Sequence, residues 1–376
     1  METQSKNSFD PFNLNDVKLY DRILQYLSGK DIINLSAVSK FWYEYTGERE
    51  VTMKKIKFVI DEKHGGKVLT SDIIEGSFRH YKNLEIKGIF DSTKNIFSFI
   101  ESNANSLTTI RTSYDLNLRN VQLPMLSSLY LIPRSIDHPI NLFCKGFTTA
   151  TTNLQELCVY GKTKSPQLLQ KTLQMNSNLK KLVFENRSVD EEHFKYSHTY
   201  DFKLEVFRCD TSSQDNEHFW SNLNNFLDFQ SDSLYDIKIN CNYRELNKIL
   251  TALPKLRCFT FYPNPVIYAG SLSDFNYLGH RRIEEARFIF TPMRIIERFL
   301  HYTPSLHTVY IAELHAEHIS KLIDLIPKLR CIKYAYIIDN DYSKEFIHEK
   351  ILEYHLNFHK QHCAHIPYQP IIIEQI

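Results

Sequence analysis

The chain has 376 residues, 43% hydrophobic and 13% aromatic, a globular composition with room for one or two ordinary domains or one elongated repeat domain. A net charge of +1 argues against a bulk nucleic-acid binder, and ten glycines with no GxGxxG or Walker-type pattern disfavour phosphate-cradling folds and their cofactors. The cysteines at 144, 158, 209, 241, 258, 331 and 363 form no CxxC pair, which fits reduced thiols in a cytoplasmic or nuclear protein, and no apolar run approaches the ~18 residues of a membrane span.

Residues 1–12 read as a disordered leader and 13–50 as a helical module. Leu19, Ile23 and Leu27 recur at four-residue spacing with Leu24 beside them, the apolar stripe of a helix. Ser28-Gly29 is expected to end that helix as a C-cap, and Lys30-Asp31 to open a second apolar series of Ile32, Leu35, Val38 and Trp42. These short helices carry more apolar residues than so small a module buries within itself, so a partner is implied.

The run Ile23-Leu24-x-Tyr26-Leu27-Ser28-x-x-Asp31-Ile32-x-x-Leu35-x-x-Val38-Ser39-Lys40-x-Trp42-Tyr43 resembles the F-box. The match is close from Tyr26 to Trp42. At the start F-boxes usually carry Leu-Pro, and here Leu14-Asn15 stands nearest. The resemblance covers about a tenth of the chain. It implies docking onto the small Skp adaptor, and through it the cullin, of an SCF-type cullin–RING ubiquitin ligase. The adaptor-facing set it implies is Leu14, Leu19, Ile23, Leu27, Ile32, Leu35, Val38 and Trp42.

From residue 51 to about 340 one pattern recurs: apolar, two variable, apolar, one variable, apolar. It begins at Met53-x-x-Ile56-x-Phe58 and Tyr81-x-x-Leu84-x-Ile86 and runs through Leu182, Ile237 and Phe259 units to Leu329-x-x-Ile332-x-Tyr334. Twelve units follow one another at intervals averaging about 25 residues, the range of leucine-rich repeats. Helical stripes lie between them at Ile96–Ile100, Leu168–Leu173, Phe219–Leu227, Ile295–Leu300 and Ile319–Ile323. Pro254, Pro304 and Pro327 each stop a helix two residues before a strand. The expected fold is an α/β leucine-rich-repeat solenoid, parallel strands on the concave face and helices on the convex face. An asparagine ladder after each strand is largely absent, so the repeats read as degenerate. Residues 341–376 read as a capping helix, Lys344–His362, and a β-prone tail, Pro370–Ile376.

The residue between the second and third apolar anchor should face the concave surface. Unit by unit this gives Lys57, Glu85, Arg111, Tyr130, Cys158, Val183, Arg208, Lys238, Thr260, Arg287, Tyr310 and Lys333. Lys57, Arg111, Tyr130, Arg208, Lys238, Arg287, Tyr310 and Lys333 are the candidate substrate contacts, a row suited to an acidic or phosphorylated protein segment. Asp236, Glu285 and Asp210 lie two residues from Lys238, Arg287 and Arg208 and would instead make it an ordinary self-paired face. In the C-terminal helix His355 and His359 are four apart and His362 and Cys363 follow, an arrangement compatible with zinc, but no second pair has a recognised ligand spacing and no metal site is assigned. Asp190-Glu191-Glu192 reads as a solvated loop. No nucleophile motif such as GxSxG appears, so the expectation is a binding protein and not an enzyme.

Overall fold

The computed structural model describes residues 17–61, 79–88, 94–113, 118, 121–132, 151–161, 166–189, 193–195, 200–211, 216–263, 279–289, 291–306, 308–314 and 331–337. Twelve strands form one open sheet in which order in space follows order in the chain. They are β1 (Lys57–Asp61), β2 (Asn83–Lys87), β3 (Thr109–Thr112), β4 (Ser128–Leu131), β5 (Glu156–Tyr160), β6 (Lys181–Val189), β7 (Val206–Thr211), β8 (Asp236–Cys241), β9 (Cys258–Pro263), β10 (Glu285–Ile289), β11 (Thr308–Leu314) and β12 (Cys331–Ile337). Every neighbouring pair is parallel.

Strand alternation explains why the apolar triplets were visible. In β8, Ile237, Ile239 and Cys241 are fully buried, and Asp236, Lys238 and Asn240 between them face the other way. The buried side packs on helices. The stripes at 96–100, 168–173, 219–227 and 295–300 become α5 (Lys94–Ser102), α6 (Pro166–Met175), α7 (Glu217–Gln230) and α9 (Met293–Tyr302). The helix expected to stop at Pro254 is α8 (Tyr243–Ala252); Asn242 caps it by accepting from Glu245 N, and Leu246, Ile249 and Leu250 form its buried stripe. Aromatic rings fill the layer between sheet and helices: Phe194 lies 5.0 Å from Phe226, and Phe259 stacks on Phe299 at 5.5 Å.

Parallel register is set at the start of each unit, where one carbonyl receives two N–H groups from the next. Lys82 O takes Thr108 N and Thr109 N at 2.9 and 3.0 Å; Gln155 O takes Lys180 N and Lys181 N at 2.8 and 2.9 Å; Arg257 O takes Glu284 N and Glu285 N at 2.9 and 3.0 Å. A ladder of side-chain amides is present after all, but ahead of the strands. Asn103 Oδ1 accepts from Tyr81 N, Asn176 Oδ1 from Leu154 N, and Gln230 Oε1 from Leu204 N, at 3.0, 2.8 and 2.8 Å. Asn176 Nδ2 also donates to Thr151 O and Thr172 O. Each amide sits in the turn after a helix or the helix's last residue and ties it to the preceding unit, so buried backbone groups between units are satisfied. Where the corresponding residue is Leu253, His280 takes over and its Nε2 bonds Leu253 O at 2.8 Å.

Two units sit in a different frame from the one the spacing suggests. Lys57 pairs with Asn83, and Val59 pairs with Glu85, so Phe58 and Ile60 are the sheet residues of the first unit. Met53 and Ile56 belong to the N-terminal module's own core. At the far end the register slips between Val309 and Tyr310, and Tyr310 pairs with Tyr334, not with Lys333. The stripe at 319–323, the Lys344–His362 helix with its histidines, the 190–192 acidic run and the Pro370–Ile376 tail lie outside the described residues.

Candidate docking module and concave face

The module is built from α1 (Val17–Tyr26), α2 (Gly29–Ser36), α3 (Lys40–Glu48) and α4 (Glu50–Met53). Ser28 is an N-cap rather than part of a C-cap. Its hydroxyl accepts from Asp31 N, and Asp31 Oδ2 accepts from Ser28 N at 3.1 Å, a reciprocal capping box that starts α2. Ser39 caps α3 by a single bond, its hydroxyl accepting from Trp42 N. The open carbonyls at the end of α1 are closed from a distance. Lys55 Nζ donates to Leu24 O, Gln25 O and Leu27 O at 3.1, 2.6 and 2.8 Å, placing a cation where the helix dipole is negative. Gly29 permits that approach, since a Cβ there would stand 2.5 Å from Lys55 O.

Leu24, Ile32, Met53 and Ile56 form the module core, with Leu27, Leu35, Tyr45, Val51 and Tyr81 packed against it. Tyr81 also packs on the repeat core and lies 4.7 Å from Phe58. Glu50 pairs with Lys82 at 2.8 Å and with Lys54 at 3.1 Å, which lowers its pKa to about 2. Module and first repeats are therefore one packed body.

Packing divides the sequence-derived adaptor set. Ile32 and Trp42 are 0% and 5% exposed and hold the module together; Leu27 and Leu35 are half-buried. Ile23 and Val38 are 40% and 74% exposed. Leu19 lies in α1, and Leu14 lies outside the described residues. The motif reading did not select Tyr26, Ile33 or Phe41, all of them large and exposed, with Tyr26 at 89%. Helical period was the available signal: with Ile32 and Leu35 turned inward, Ile33 must turn outward.

On the concave face the cations find carboxylates. Arg111 Nε lies 3.3 Å from Glu85, Arg208 3.7 Å from Asp236, Lys238 3.0 Å from Glu185 and Arg287 2.8 Å from Glu285. Glu285 is the partner its spacing suggested. Asp236 instead serves Arg208 across the strands, and Asp210 accepts from Asn240. Lys238 also lies over the Tyr262 ring at 5.1 Å, and Arg287 over Tyr310 at 4.4 Å. Tyr130 donates to Glu156 at 2.5 Å, and Glu156 also pairs with Lys181. Lys57 occupies the row upstream of the midline and reaches Glu85 at 2.8 Å. Lys333 stands at the β12 bulge. Taken over the midline and the rows two residues either side in β1–β11, Lys57, Lys87, Arg111, Lys181, Arg208, Lys238 and Arg287 face Asp61, Glu85, Glu156, Glu185, Asp210, Asp236 and Glu285, seven of each sign.

Burial shapes what these groups do. It would raise the Glu85 pKa, yet Lys57 and Lys87 hold it below the ordinary carboxylate value. Burial pushes the Cys158 thiol up to about 12, with Glu156 adding to the effect, and the buried Cys209 and Cys241 stand well above the usual thiol value. None of these three is a thiolate nucleophile at neutral pH. Among the described residues no three His, Cys, Asp or Glu side chains gather as metal ligands, and no helix is long and apolar enough to cross a membrane.

No curated protein matches the chain. A family model detects an F-box domain at residues 16–50, the segment that builds α1 to α3.

Proposed function

We propose that this chain is a substrate-recognition subunit of an SCF-type cullin–RING ubiquitin ligase, its F-box domain docking the Skp adaptor and its repeat body holding a target protein. The observation that carries the reading is the outer surface of the module. Its core is already filled by Leu24, Ile32, Met53 and Ile56, yet Ile23, Tyr26, Ile33, Val38 and Phe41 remain in water. A module serving only to cap the first repeat would present a polar outer face. A set of exposed apolar and aromatic side chains fits a protein partner. The chain's contribution is positioning: it raises the effective concentration of a target near the ligase, and other subunits do the chemistry. Affinity purification of the full chain tests this reading. Recovery of a Skp adaptor together with a cullin is the expected result. A repeat scaffold that recovers targets without adaptor or cullin is the contrary one.

A further inference from the structure

Two cations near the junction of module and repeat body have carboxylates: Arg49 lies 3.7 Å from Asp21, and Lys82 lies 2.8 Å from Glu50. Arg79, four residues ahead of β2, does not. It is 8% exposed, and its Nε and Nη2 are buried with no hydrogen-bond acceptor among the described residues. These two nitrogens form one edge of the guanidinium fork, the edge that grips a carboxylate side-on. The guanidinium lies 4.4 Å from the ring centroid of Tyr43 in α3, and Tyr43 is itself 41% exposed. A ring face offsets part of the charge but accepts none of the in-plane N–H groups. Arginine cannot escape the cost by losing its proton, and a buried charge without a counter-ion is unfavourable. The empty edge therefore favours any carboxylate brought to it.

We infer that Arg79 is a docking contact held ready under Tyr43, and that an aspartate or glutamate of the adaptor seated on the module takes its Nε/Nη2 edge in a bidentate pair. Tyr43 belongs to α3, which also carries the exposed Phe41, so a partner covering that helix reaches the ring. Displacing the ring opens the guanidinium to the partner. Apolar contacts supply most of the affinity, and the ion pair fixes the angle at which the repeat body is held. The inference rests on the adaptor-docking role proposed above.

The test measures the affinity of the full chain for a purified Skp adaptor by calorimetry, with the thermal midpoint of the free chain read in parallel. Arg79→Met keeps the length of the stem and removes the charge. Adaptor affinity should fall about tenfold in this variant, while the midpoint of the free chain stays level or rises, because an uncompensated buried charge is gone. Lys82→Met is the comparison, since its charge is already paired with Glu50, and it should stay within about twofold. Affinity within twofold of wild type in Arg79→Met, equal losses in the two variants, or a lowered midpoint in Arg79→Met overturns the inference and leaves the docking role standing. A wild-type chain that binds no adaptor overturns the docking role and this inference with it.

Discussion

Tyr26 and Val38 stand 89% and 74% exposed on the module, whereas Arg208, Lys238 and Arg287 on the concave face each hold a carboxylate. The two surfaces are prepared for contact in different ways. Apolar side chains in water gain free energy from whatever covers them, at about 25 cal/mol per Å². Paired charges give little to a partner unless it supplies better pairing, and exposed pairs contribute at most about 1 kcal/mol each. On the proposed function the module is the surface for strong attachment to the adaptor. On the same proposal the concave face discriminates among partners, its tyrosines and matched charges disfavouring a poorly complementary segment.

The largest expected effect comes from confusing the module's inside with its outside. Ile32→Asp puts a charge where the side chain is fully buried and should cost about 4 kcal/mol or more, melting the module and adaptor binding together. Thermal denaturation with a parallel adaptor pull-down reads both. If Ile32→Asp leaves the melting curve unchanged, the division between core and surface is wrong.

The inter-unit amides come next. Asn176→Ala removes the side-chain bonds to Leu154 N, Thr151 O and Thr172 O and should lower stability by about 1–3 kcal/mol, against less than about 0.5 kcal/mol for the exposed neighbour Asn178→Ala. Urea midpoints of the two variants make the comparison. Gly279 should behave in the same range. Its φ is +101°, and a Cβ would stand 2.6 Å from Tyr302 O, so Gly279→Ala is expected to destabilise by about 1–3 kcal/mol.

The smallest effect is a pH dependence in the repeat body. Burial lowers the His280 pKa, and neutral His280 uses both ring nitrogens, bonding Leu253 O and accepting from Arg282 N. Its unfolded form takes up a proton near pH 6.5 and the folded form only at lower pH. Stability is therefore full above about pH 6.5 and declines as pH falls below it. His280→Gln should flatten that decline in urea titrations at pH 7 and pH 5.5. An equally steep decline in the variant assigns it elsewhere.

The repeat body was legible because a parallel sheet demands alternation, and Leu182/Phe184 or Ile237/Ile239 announce it without help from neighbours. The frame failed where two cores meet. Met53 and Ile56 have repeat spacing but pack with Leu24 and Ile32, so Lys57 was placed one row off. The apparent basic stripe was a property of one row alone. Its neutralising carboxylates, Asp236 for Arg208 and Glu185 for Lys238, come from other strands and emerge only from register. The amide ladder was sought after the strands, whereas Asn103, Asn176 and Gln230 stand before them. Within the module the motif named apolar residues but not the direction in which each one points. Short helices with apolar residues on several faces give no unique inside until Met53, Ile56 and Tyr81 arrive from later in the chain.

On the proposed function, the exposed apolar side chains of the module, and not its core, hold the adaptor. Adaptor affinity and thermal midpoint measured on one double variant, Ile23→Asp/Val38→Asp, test it most directly. The expected result is an affinity loss of about 100-fold or more, equivalent to about 2.7 kcal/mol, with the midpoint unchanged. Adaptor binding that survives at wild-type strength in a folded double variant would contradict it.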